Sequence, residues 1–449
     1  MVSVSGIRGR VGEALTPEVM CTYAAGFGAW ATSRGTSLKI VVGRDSRVSG
    51  PMFHRVVLGA LQSVGCEVID IGVVPTPTVQ LAVEHHHAAG GLAITASHNP
   101  IEWNALKFIG PSGLFLEAAE GAEMRETIGR PIPRATWDRI GTIVEDREAV
   151  DRHLELVLAL PFIDVEAIRA RKYRVALDCV RGAGAPIMLA LLERLGCFVT
   201  AIHLEADGRF PHAPEPIAEN LGELERLVRD SRSDIGFAVD PDVDRLAIVA
   251  EDGRAIGEDY TLALAAKVVL SHRGGVVVTN LSTSRIVDDI AAGAGSRVIR
   301  APVGEVNVAT RMRTEGAAIG GEGNGGVIVS ELHLGRDAPA GAALILQLLQ
   351  MEGRPMSGIV AGYPRYAIVK DKLDRPAAPL DTVYAALRAA LPGAEIDVQD
   401  GLRLSWPDRW LHVRPSGTEP IVRVIAEAPT AEEASSLIAT ARAPLDALS

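Results

Sequence analysis

The stretch Leu38–Gly72, "LKIVVGRDSRVSGPMFHRVVLGALQSVGCEVIDIG", joins two short apolar runs through an amphipathic one. Leu38–Gly43 and Cys66–Gly72 are rich in β-branched residues, which favour strands. Pro51–Val64 carries apolar residues three and four positions apart, which is typical of a helix. A strand, a helix and a strand in succession predict a βαβ unit with parallel strands.

The same alternation continues along the chain. It predicts strands at 91–95, 173–178, 198–204, 234–240, 275–280, 296–301 and 317–321, and helices at 78–87, 186–195, 220–229, 259–270, 283–292 and 306–315. After Tyr363 the strands are antiparallel in character. We therefore predict three consecutive α/β domains with mixed, mostly parallel sheets and a smaller α+β C-terminal domain, around a central cleft. The expected boundaries are 1–150, 151–252, 253–363 and 364–449.

Composition excludes several classes of protein. A chain of 449 residues exceeds what one core fills. The net charge of −11 counts against general nucleic-acid binding, which needs a basic surface. No apolar run approaches the ~20 residues that span a bilayer, and no signal peptide is visible. The four cysteines form no C-x-x-C pair and are expected as buried thiols. These features predict a cytoplasmic protein without membrane or nucleic-acid partners; a monomer and a homodimer both stay open.

Polar loops follow the carboxyl ends of the predicted strands. In parallel α/β sheets, this is the end at which ligands bind and catalytic residues lie. "TASHNP" (Thr95–Pro100) places Ser97 and His98 at the end of a strand, where a plain turn needs neither. "DPDVDR" (Asp240–Arg245) places three carboxylates within five residues. They repel one another unless a cation neutralises them, and oxygen ligands suit Mg²⁺ before Ca²⁺. A solvated acidic turn is the alternative.

Two further loops offer groups for a polar ligand. "GGEGNGG" (Gly320–Gly326) lets the backbone approach a ligand closely and supplies Glu322 and Asn324 for sugar hydroxyls. "RPSGTEP" (Arg414–Pro420) offers N–H groups and hydroxyls as an anion nest, beside the charges of Arg414 and Arg423. Each loop is also compatible with an ordinary turn.

Taken together, the four loops resemble those of the α-D-phosphohexomutase family, which includes phosphoglucomutase, phosphomannomutase and phosphoglucosamine mutase. "SGIRG" (Ser5–Gly9) is similar to the family's N-terminal signature. The other four are similar to its phosphoserine, metal, sugar and phosphate loops, in family order and at domain-sized spacing. The resemblance covers essentially the whole chain and implies an intramolecular phosphotransferase.

The resemblance also implies roles for individual residues. Ser97 becomes the phosphoryl carrier, and Asp240, Asp242 and Asp244 hold Mg²⁺ with a phosphoryl oxygen on Ser97 as a further ligand. Arg8, Lys107 and Arg245 match family positions beside the reacting group; His98 lies near it, with a structural role equally open. Substrate binding is assigned to Gly304, Glu305, Glu322, Gly323, Asn324, Arg414, Ser416, Gly417, Thr418 and Arg423. The substrate is a small-molecule hexose phosphate, and a hexose 1,6-bisphosphate is both intermediate and activator.

Three departures from the commoner family patterns bear on the substrate. They are Asn324-Gly325-Gly326 in the sugar loop, Glu305 in the preceding loop, and Ala105 in "WNALK". All three resemble an archaeal-like and Bacteroidetes-like subgroup called phosphoglucosamine mutase. A carboxylate at Glu305 suits an ammonium group on C2, so glucosamine phosphate is preferred; glucose and mannose phosphates stay open.

Other readings are less favoured by the sequence. A non-catalytic sugar-phosphate sensor would lose Ser97 or the aspartates, and both are present. Slow hydrolysis of the phosphoserine stays open. The run His85–His87 is not expected to bind a metal. Arg10 and Arg47 are expected at the surface or in domain contacts.

Overall fold

The computed structural model describes residues 2–3, 6–35, 37–416 and 421–447, and these form four sheets. The predicted class is confirmed, with three α/β domains followed by one α+β domain. The four cysteines are free, although Cys21 and Cys197 are only half-buried. Within the described ranges, no helix combines the length and apolar character needed to cross a membrane. The boundaries at 150, 252 and 363 stay a prediction.

The first domain is a seven-stranded sheet with helices on both faces. Its elements are β1 (Val2–Ser3), β2 (Gly6–Arg10), α1 (Pro17–Ser33), β3 (Lys39–Arg44), α2 (Gly50–Gln62), β4 (Glu67–Val73), α3 (Thr76–His85), β5 (Gly90–Ile94), β6 (Trp103–Ile109), α4 (Ala118–Ile128) and β7 (Ile143–Glu145). The strand order is β1-β2-β6-β5-β3-β4-β7. Strand β3 is parallel to β4 and β5, as the opening βαβ unit predicts.

The second and third domains each contain a four-stranded sheet. The second consists of α5 (Ala149–Leu158), α6 (Val165–Arg171), β8 (Arg174–Asp178), α7 (Gly184–Arg194), β9 (Phe198–Ile202), α8 (Gly222–Ser231), β10 (Ile235–Val239) and β11 (Leu246–Ala250). The third consists of α9 (Asp259–Arg273), β12 (Val276–Asn280), α10 (Ile286–Gly293), β13 (Arg297–Ala301), α11 (Glu305–Glu315), β14 (Ile319–Glu322), β15 (Gly326–Val329), α12 (Ala338–Glu352) and α13 (Met356–Val360).

Each of these two sheets ends in an antiparallel hairpin that brackets one of the predicted ligand-binding loops. Strands β10 and β11 flank the aspartate loop, and β14 and β15 flank the glycine-rich loop. One apolar core runs through both domains, because α12 packs against helices of the second domain as well as the third. The two hairpin loops are therefore held in a fixed relation.

The fourth domain is a five-stranded antiparallel sheet covered by two helices. It contains β16 (Ala367–Asp374), α14 (Leu380–Ala390), β17 (Glu395–Asp397), β18 (Leu402–Ser405), β19 (Trp410–Pro415), β20 (Ile421–Ala428) and α15 (Ala431–Ala447). It contacts the third domain, since His412 Nδ1 lies 2.8 Å from Ser282 Oγ and the Arg285 N–H donates to Glu427 at 2.9 Å.

Candidate active site

Ser97 lies in the loop after β5 in a strained backbone conformation. Its φ is +49°, in the left-handed region that L-residues with a side chain rarely adopt. The conformation is held by a hydrogen bond from the Ser97 N–H to Thr95 Oγ1 at 2.9 Å. The Thr95 hydroxyl in turn donates to Asp45 Oδ2 at 2.7 Å. The loop therefore presents the Ser97 side chain in one defined direction.

Arg47 stabilises this loop from inside the first domain. The prediction that Arg47 lies at the surface is therefore wrong. Its side chain is fully buried and pairs with Asp45 at 3.1 Å. Its guanidinium donates at 2.6 to 2.9 Å to four loop carbonyls, those of Ser97, Asn99, Pro100 and Trp103. A guanidinium can bind several acceptors at once because its five N–H groups lie in one plane. The domain-contact alternative holds, since the ring of Phe210 lies 5.0 Å from the guanidinium carbon.

The aspartate loop leaves the buried strand β10 and places all three carboxylates in the interior. Asp240 and Asp242 are 0% exposed and Asp244 is 1% exposed. One oxygen from each lies within 4.8 Å of the others. Val243 has φ of +60°, which is unusual for a β-branched residue. The solvated acidic turn is therefore wrong for this loop.

These residues fit a divalent cation. Oδ1 of Asp242 and Oδ1 of Asp244 are buried without a hydrogen-bond partner. Burial, together with repulsion from Asp244 and Asp242, raises the pKa of Asp240 well above its ordinary value. Three buried carboxylates with unused oxygens form the all-oxygen donor set that hard cations such as Mg²⁺ prefer.

Ser97 and Lys107 of the first domain meet this loop of the second. The Ser97 hydroxyl donates to Asp240 Oδ2 at 2.9 Å, and His98 Nδ1 lies 3.3 Å from the same hydroxyl. Lys107 Nζ donates to Asp242 Oδ2 at 2.7 Å. Burial and the cations Arg245 and Arg336 lower the pKa of His98 to about 2, so its imidazole is neutral.

Arg336, which sequence reasoning missed, joins the aspartate loop to the sugar loop. Its guanidinium, buried at the start of α12, lies 2.6 Å from Asp244, 3.1 Å from Glu305 and 3.0 Å from Glu322. One cation thus binds carboxylates from three separate segments of two domains. Nothing in "LGRDAP" signals this position, because the three partners are distant in sequence.

The predicted sugar-binding residues lie together around Glu322. Its carboxylate accepts hydrogen bonds from the Gly304 N–H at 3.0 Å and from Asn280 at 2.9 Å. Asn324 Nδ2 lies 3.4 Å from the other oxygen. Gly323 has no room for a side chain, because an added Cβ would lie 2.1 Å from Asp259 Oδ1. The loop is thus a rigid part of the third domain.

Three guanidinium groups from three domains face the same region. Burial lowers the pKa of Arg8, and repulsion from Arg245 and Arg423 lowers it further. Arg245 Nη1 pairs with Glu215 at 3.2 Å, and Arg8 Nη1 donates to Asn99 at 2.7 Å. Cations that destabilise one another in this way suit a bound anion such as phosphate.

The predicted phosphate loop is only partly described. Gly417 and Thr418 lie outside the described residues. Arg414 Nε pairs with Asp400 at 2.9 Å, and Asp400 also accepts from the Val303 N–H of the third domain at 3.0 Å. Ser416 lies at the end of β19, where its N–H donates to the Ile421 carbonyl at 2.9 Å.

A cleft of about 780 Å³ opens where the four domains meet, next to His98 of the Ser97 loop. Every domain contributes to its wall, for example through His98, Glu215, Asp259, Lys372 and Arg423. The central cleft of the predicted architecture is therefore present.

Comparison with known proteins identifies the family. Four profiles of phosphoglucomutase/phosphomannomutase match in order: alpha/beta/alpha domain I over residues 2–132, domain II over 151–253, domain III over 257–366, and the C-terminal domain over 368–443. The chain belongs to this family. It is therefore a phosphomutase enzyme, as the resemblance implies.

Full-length relatives support the assignment. A probable phosphoglucosamine mutase of Methanopyrus kandleri is 37% identical over 437 residues, which are 96% of this chain and 95% of that protein. A phosphoglucomutase/phosphomannomutase of Thermococcus kodakarensis is 38% identical over 96% of this chain and 94% of that protein. The crystal structure of a phosphoglucomutase/phosphomannomutase family protein from Burkholderia thailandensis has a TM-score of 0.86 at 26% identity, covering 100% of this chain and 98% of that one.

Proposed function

We propose that this enzyme moves a phosphoryl group between the 6- and 1-positions of a hexose phosphate through phospho-Ser97. The observation that carries the proposal is the contact of the strained Ser97 hydroxyl with a buried aspartate cluster, at 2.9 Å from Asp240. Phosphoryl transfer needs positioning and neutralisation of charge more than it needs a strong base. The site supplies both.

The reaction has two transfers in opposite directions. In the first, the bond between phosphorus and the Ser97 oxygen breaks as a bond to the free sugar hydroxyl forms, and a hexose 1,6-bisphosphate results. In the second, after the bisphosphate has turned round in the site, the bond between its other phosphoryl group and the sugar oxygen breaks as a bond to the Ser97 oxygen forms. Overall, each proton lost by a hydroxyl is regained by the oxygen from which the phosphoryl group departs. A hexose 1,6-bisphosphate supplied from solution phosphorylates Ser97 afresh and thereby acts as an activator.

The chain's own cations hold the transferring group. Lys107 and Arg245 stand at the aspartate loop, where they neutralise charge on the phosphoryl oxygens. Asp240, Asp242 and Asp244 would hold Mg²⁺, which would supply Lewis-acid polarisation of those oxygens. Arg423 and the loop that follows Arg414 bind the phosphate at the other end of the sugar. Fixed donors suit a ligand that presents a phosphate from either end.

We propose glucosamine 6-phosphate, converted to glucosamine 1-phosphate, as the preferred substrate. The likeness to probable phosphoglucosamine mutases supports this choice. Glu305 supports this choice less than its sequence position suggests, because Arg336 already pairs with the Glu305 carboxylate. Glucose and mannose phosphates are the second candidates, favoured by the likeness to the Thermococcus kodakarensis phosphoglucomutase/phosphomannomutase.

A side-by-side assay separates these candidates. The 6-phosphates of glucosamine, glucose and mannose are compared with Mg²⁺ and the matching 1,6-bisphosphates, and Ser97→Ala serves as the blank. We expect the highest kcat/KM with glucosamine 6-phosphate. Equal or higher values for glucose or mannose phosphates would overturn the substrate proposal alone. No turnover of any of them would overturn the proposed function.

A further inference from the structure

A second group of metal-ligand side chains lies in the second domain, in addition to the aspartate trio. Asp178 ends β8, His203 follows β9, and His212 lies in the loop between β9 and α8. His203 Nδ1 lies 3.0 Å from Asp178 Oδ1, and His212 Nε2 lies 3.0 Å from Asp178 Oδ2. One ligand atom from each residue lies within 4.8 Å of the others.

The outer nitrogen of each imidazole lies near an oxygen, at a hydrogen-bond distance in His212 and at a longer ion-pair distance in His203. His212 Nδ1 lies 2.9 Å from the carbonyl of Ala213, and His203 Nε2 lies 3.5 Å from Glu223 Oε2. Metal-ligating histidines almost always donate their remote N–H to a carbonyl or carboxylate, because this fixes the tautomer that points a lone pair at the metal. The arrangement therefore orients both inner nitrogens towards Asp178.

The backbone around the cluster is built for this convergence. His203 has φ of +54°, a strained conformation that turns the chain as it leaves β9. The Asp178 side chain is buried and accepts from the Val180 N–H at 2.8 Å, which fixes its carboxylate. The two imidazoles are 16% and 17% exposed, so one side of the cluster is open to water.

We propose that Asp178, His203 and His212 form a binding site for Zn²⁺ or a similar transition-metal dication. Two imidazole nitrogens and one carboxylate oxygen are a common set of three protein ligands for zinc, with water in the fourth position. Imidazole donors distinguish this site from the all-oxygen aspartate trio, which suits Mg²⁺. The ion takes the place of the protons between the imidazoles and Asp178.

The expected consequence of binding is a more rigid loop at the junction of the first two domains. The segment from His203 to Glu215 passes beside Ser46 and Arg47, and Arg47 holds the Ser97 loop in place. Gly208 lies so close to Ser46 that an added Cβ would be 2.4 Å from the Ser46 carbonyl oxygen. Glu215 pairs with Arg245 of the aspartate loop. Zinc therefore stabilises this interface by binding the folded state.

The test uses the full chain without a histidine tag, stripped by chelator and returned to saturating Mg²⁺ so that the aspartate trio is occupied. Calorimetry with Zn²⁺ should show one site per chain, and Co²⁺ should give visible absorption of a four-coordinate complex. Affinity should rise with pH and protons should be released, since bound imidazoles are deprotonated. Zinc should also raise the melting temperature.

Variants assign the site. The pair His203→Gln and His212→Gln should lower zinc affinity by more than about 10-fold, because even the loss of an outer-shell partner of a metal site costs about 10- to 100-fold. Asp242→Asn, and the pair His85→Ala and His87→Ala, should leave it unchanged. Should the double variant misfold, as circular dichroism would reveal, His212→Gln alone is used. The same zinc binding in wild type and the histidine variants would overturn the proposal, as would no binding at all, which would mean a metal-free ion-pair cluster.

Discussion

The Ser97 hydroxyl donates a hydrogen bond to Asp240 Oδ2 at 2.9 Å, across the interface between the first and second domains. The contact needs both domains, since each supplies one of the two residues. A second hydrogen bond holds the same interface, because the Thr76 hydroxyl at the start of α3 donates to Asp242 at 2.7 Å. The spacing between Ser97 and the aspartates is therefore set by the packing of the two domains.

Removal of one carboxylate tests the metal site. Asp242→Asn should weaken Mg²⁺ binding and lower kcat by about 100-fold or more, since charge stabilisation at the transferring group is lost. The measurement is rate against Mg²⁺ concentration, with calorimetry for the ion itself. Asp252→Asn, on the surface of the same domain, is the control and should behave like wild type. Undiminished activity in excess chelator would show that the aspartates serve another purpose.

Arg336 is predicted to be a positioning residue for both loops. Arg336→Gln removes the positive charge that neutralises three buried carboxylates. It should therefore lower kcat/KM by about 10- to 100-fold, the range found for outer-shell partners of metal sites. Because the guanidinium contacts both Asp244 and Glu322, the KM for the sugar phosphate and the Mg²⁺ concentration at half-maximal rate should both rise.

The control for this variant is Arg354→Gln, a partly exposed arginine in the same domain. Circular dichroism and melting temperature separate misfolding from mispositioning. If Arg336→Gln lowers stability but leaves both concentration dependences as in wild type, its role is structural only.

The strand and helix pattern was predictable, because it depends on local periodicity. Strands β3, β4, β5, β8 and β10 lie within a residue or two of their expected positions. Strand β11, which pairs with β10 across the aspartate loop, was missed because its run "LAIVA" follows the loop without a turn signal of its own. Helix α1 was missed as well, since its apolar residues lie on most sides of the helix and leave no clear stripe.

The site was predictable only as a set of loops. Residues that sit in motifs, such as Ser97 and Asp240, could be named before any coordinates. Arg47 and Arg336 could not, because their partners are set by the tertiary fold and an arginine in a sequence more often lies at the surface. For the same reason the sequence does not reveal that the Glu305 carboxylate already has Arg336 as its partner.

Asp146 links the end of α3 to the start of α5. It accepts from His86 Nε2 at 2.7 Å and from Arg152. Although burial opposes ionisation, these partners lower the pKa of Asp146 to about 2. A depressed carboxyl pKa stabilises the fold above the unfolded value of roughly 4 and loses that effect as pH falls towards 2.

Asp146→Asn should therefore lower the free energy of unfolding by about 1–2 kcal/mol at pH 7. The difference from wild type should shrink as pH falls from 5 to 3. Denaturant unfolding across this range is the measurement, with the exposed Asp138→Asn as the control. A gap that stays constant with pH would mean that Asp146 acts by packing and not by charge.

The fourth domain is predicted to close on the bound phosphate. Arg423→Ala should raise KM and lower kcat together, because a loosely held distal phosphate misplaces the reacting hydroxyl. Small-angle scattering should show a more compact particle with a hexose 1,6-bisphosphate than without. Arg442→Ala, half-exposed on the same domain, is the matched control. An unchanged radius of gyration with normal kinetics for Arg423→Ala would contradict this role.

The central claim is that Ser97 carries the phosphoryl group, and intact-mass spectrometry tests it most directly. Wild type, Ser97→Ala and the cleft-lining control Ser284→Ala are treated with a hexose 1,6-bisphosphate and Mg²⁺, desalted and weighed. The account predicts one added phosphoryl group on wild type and on Ser284→Ala, and none on Ser97→Ala, whose mutase activity is lost. A phosphoryl group on Ser97→Ala, or none on an active wild type, would contradict it.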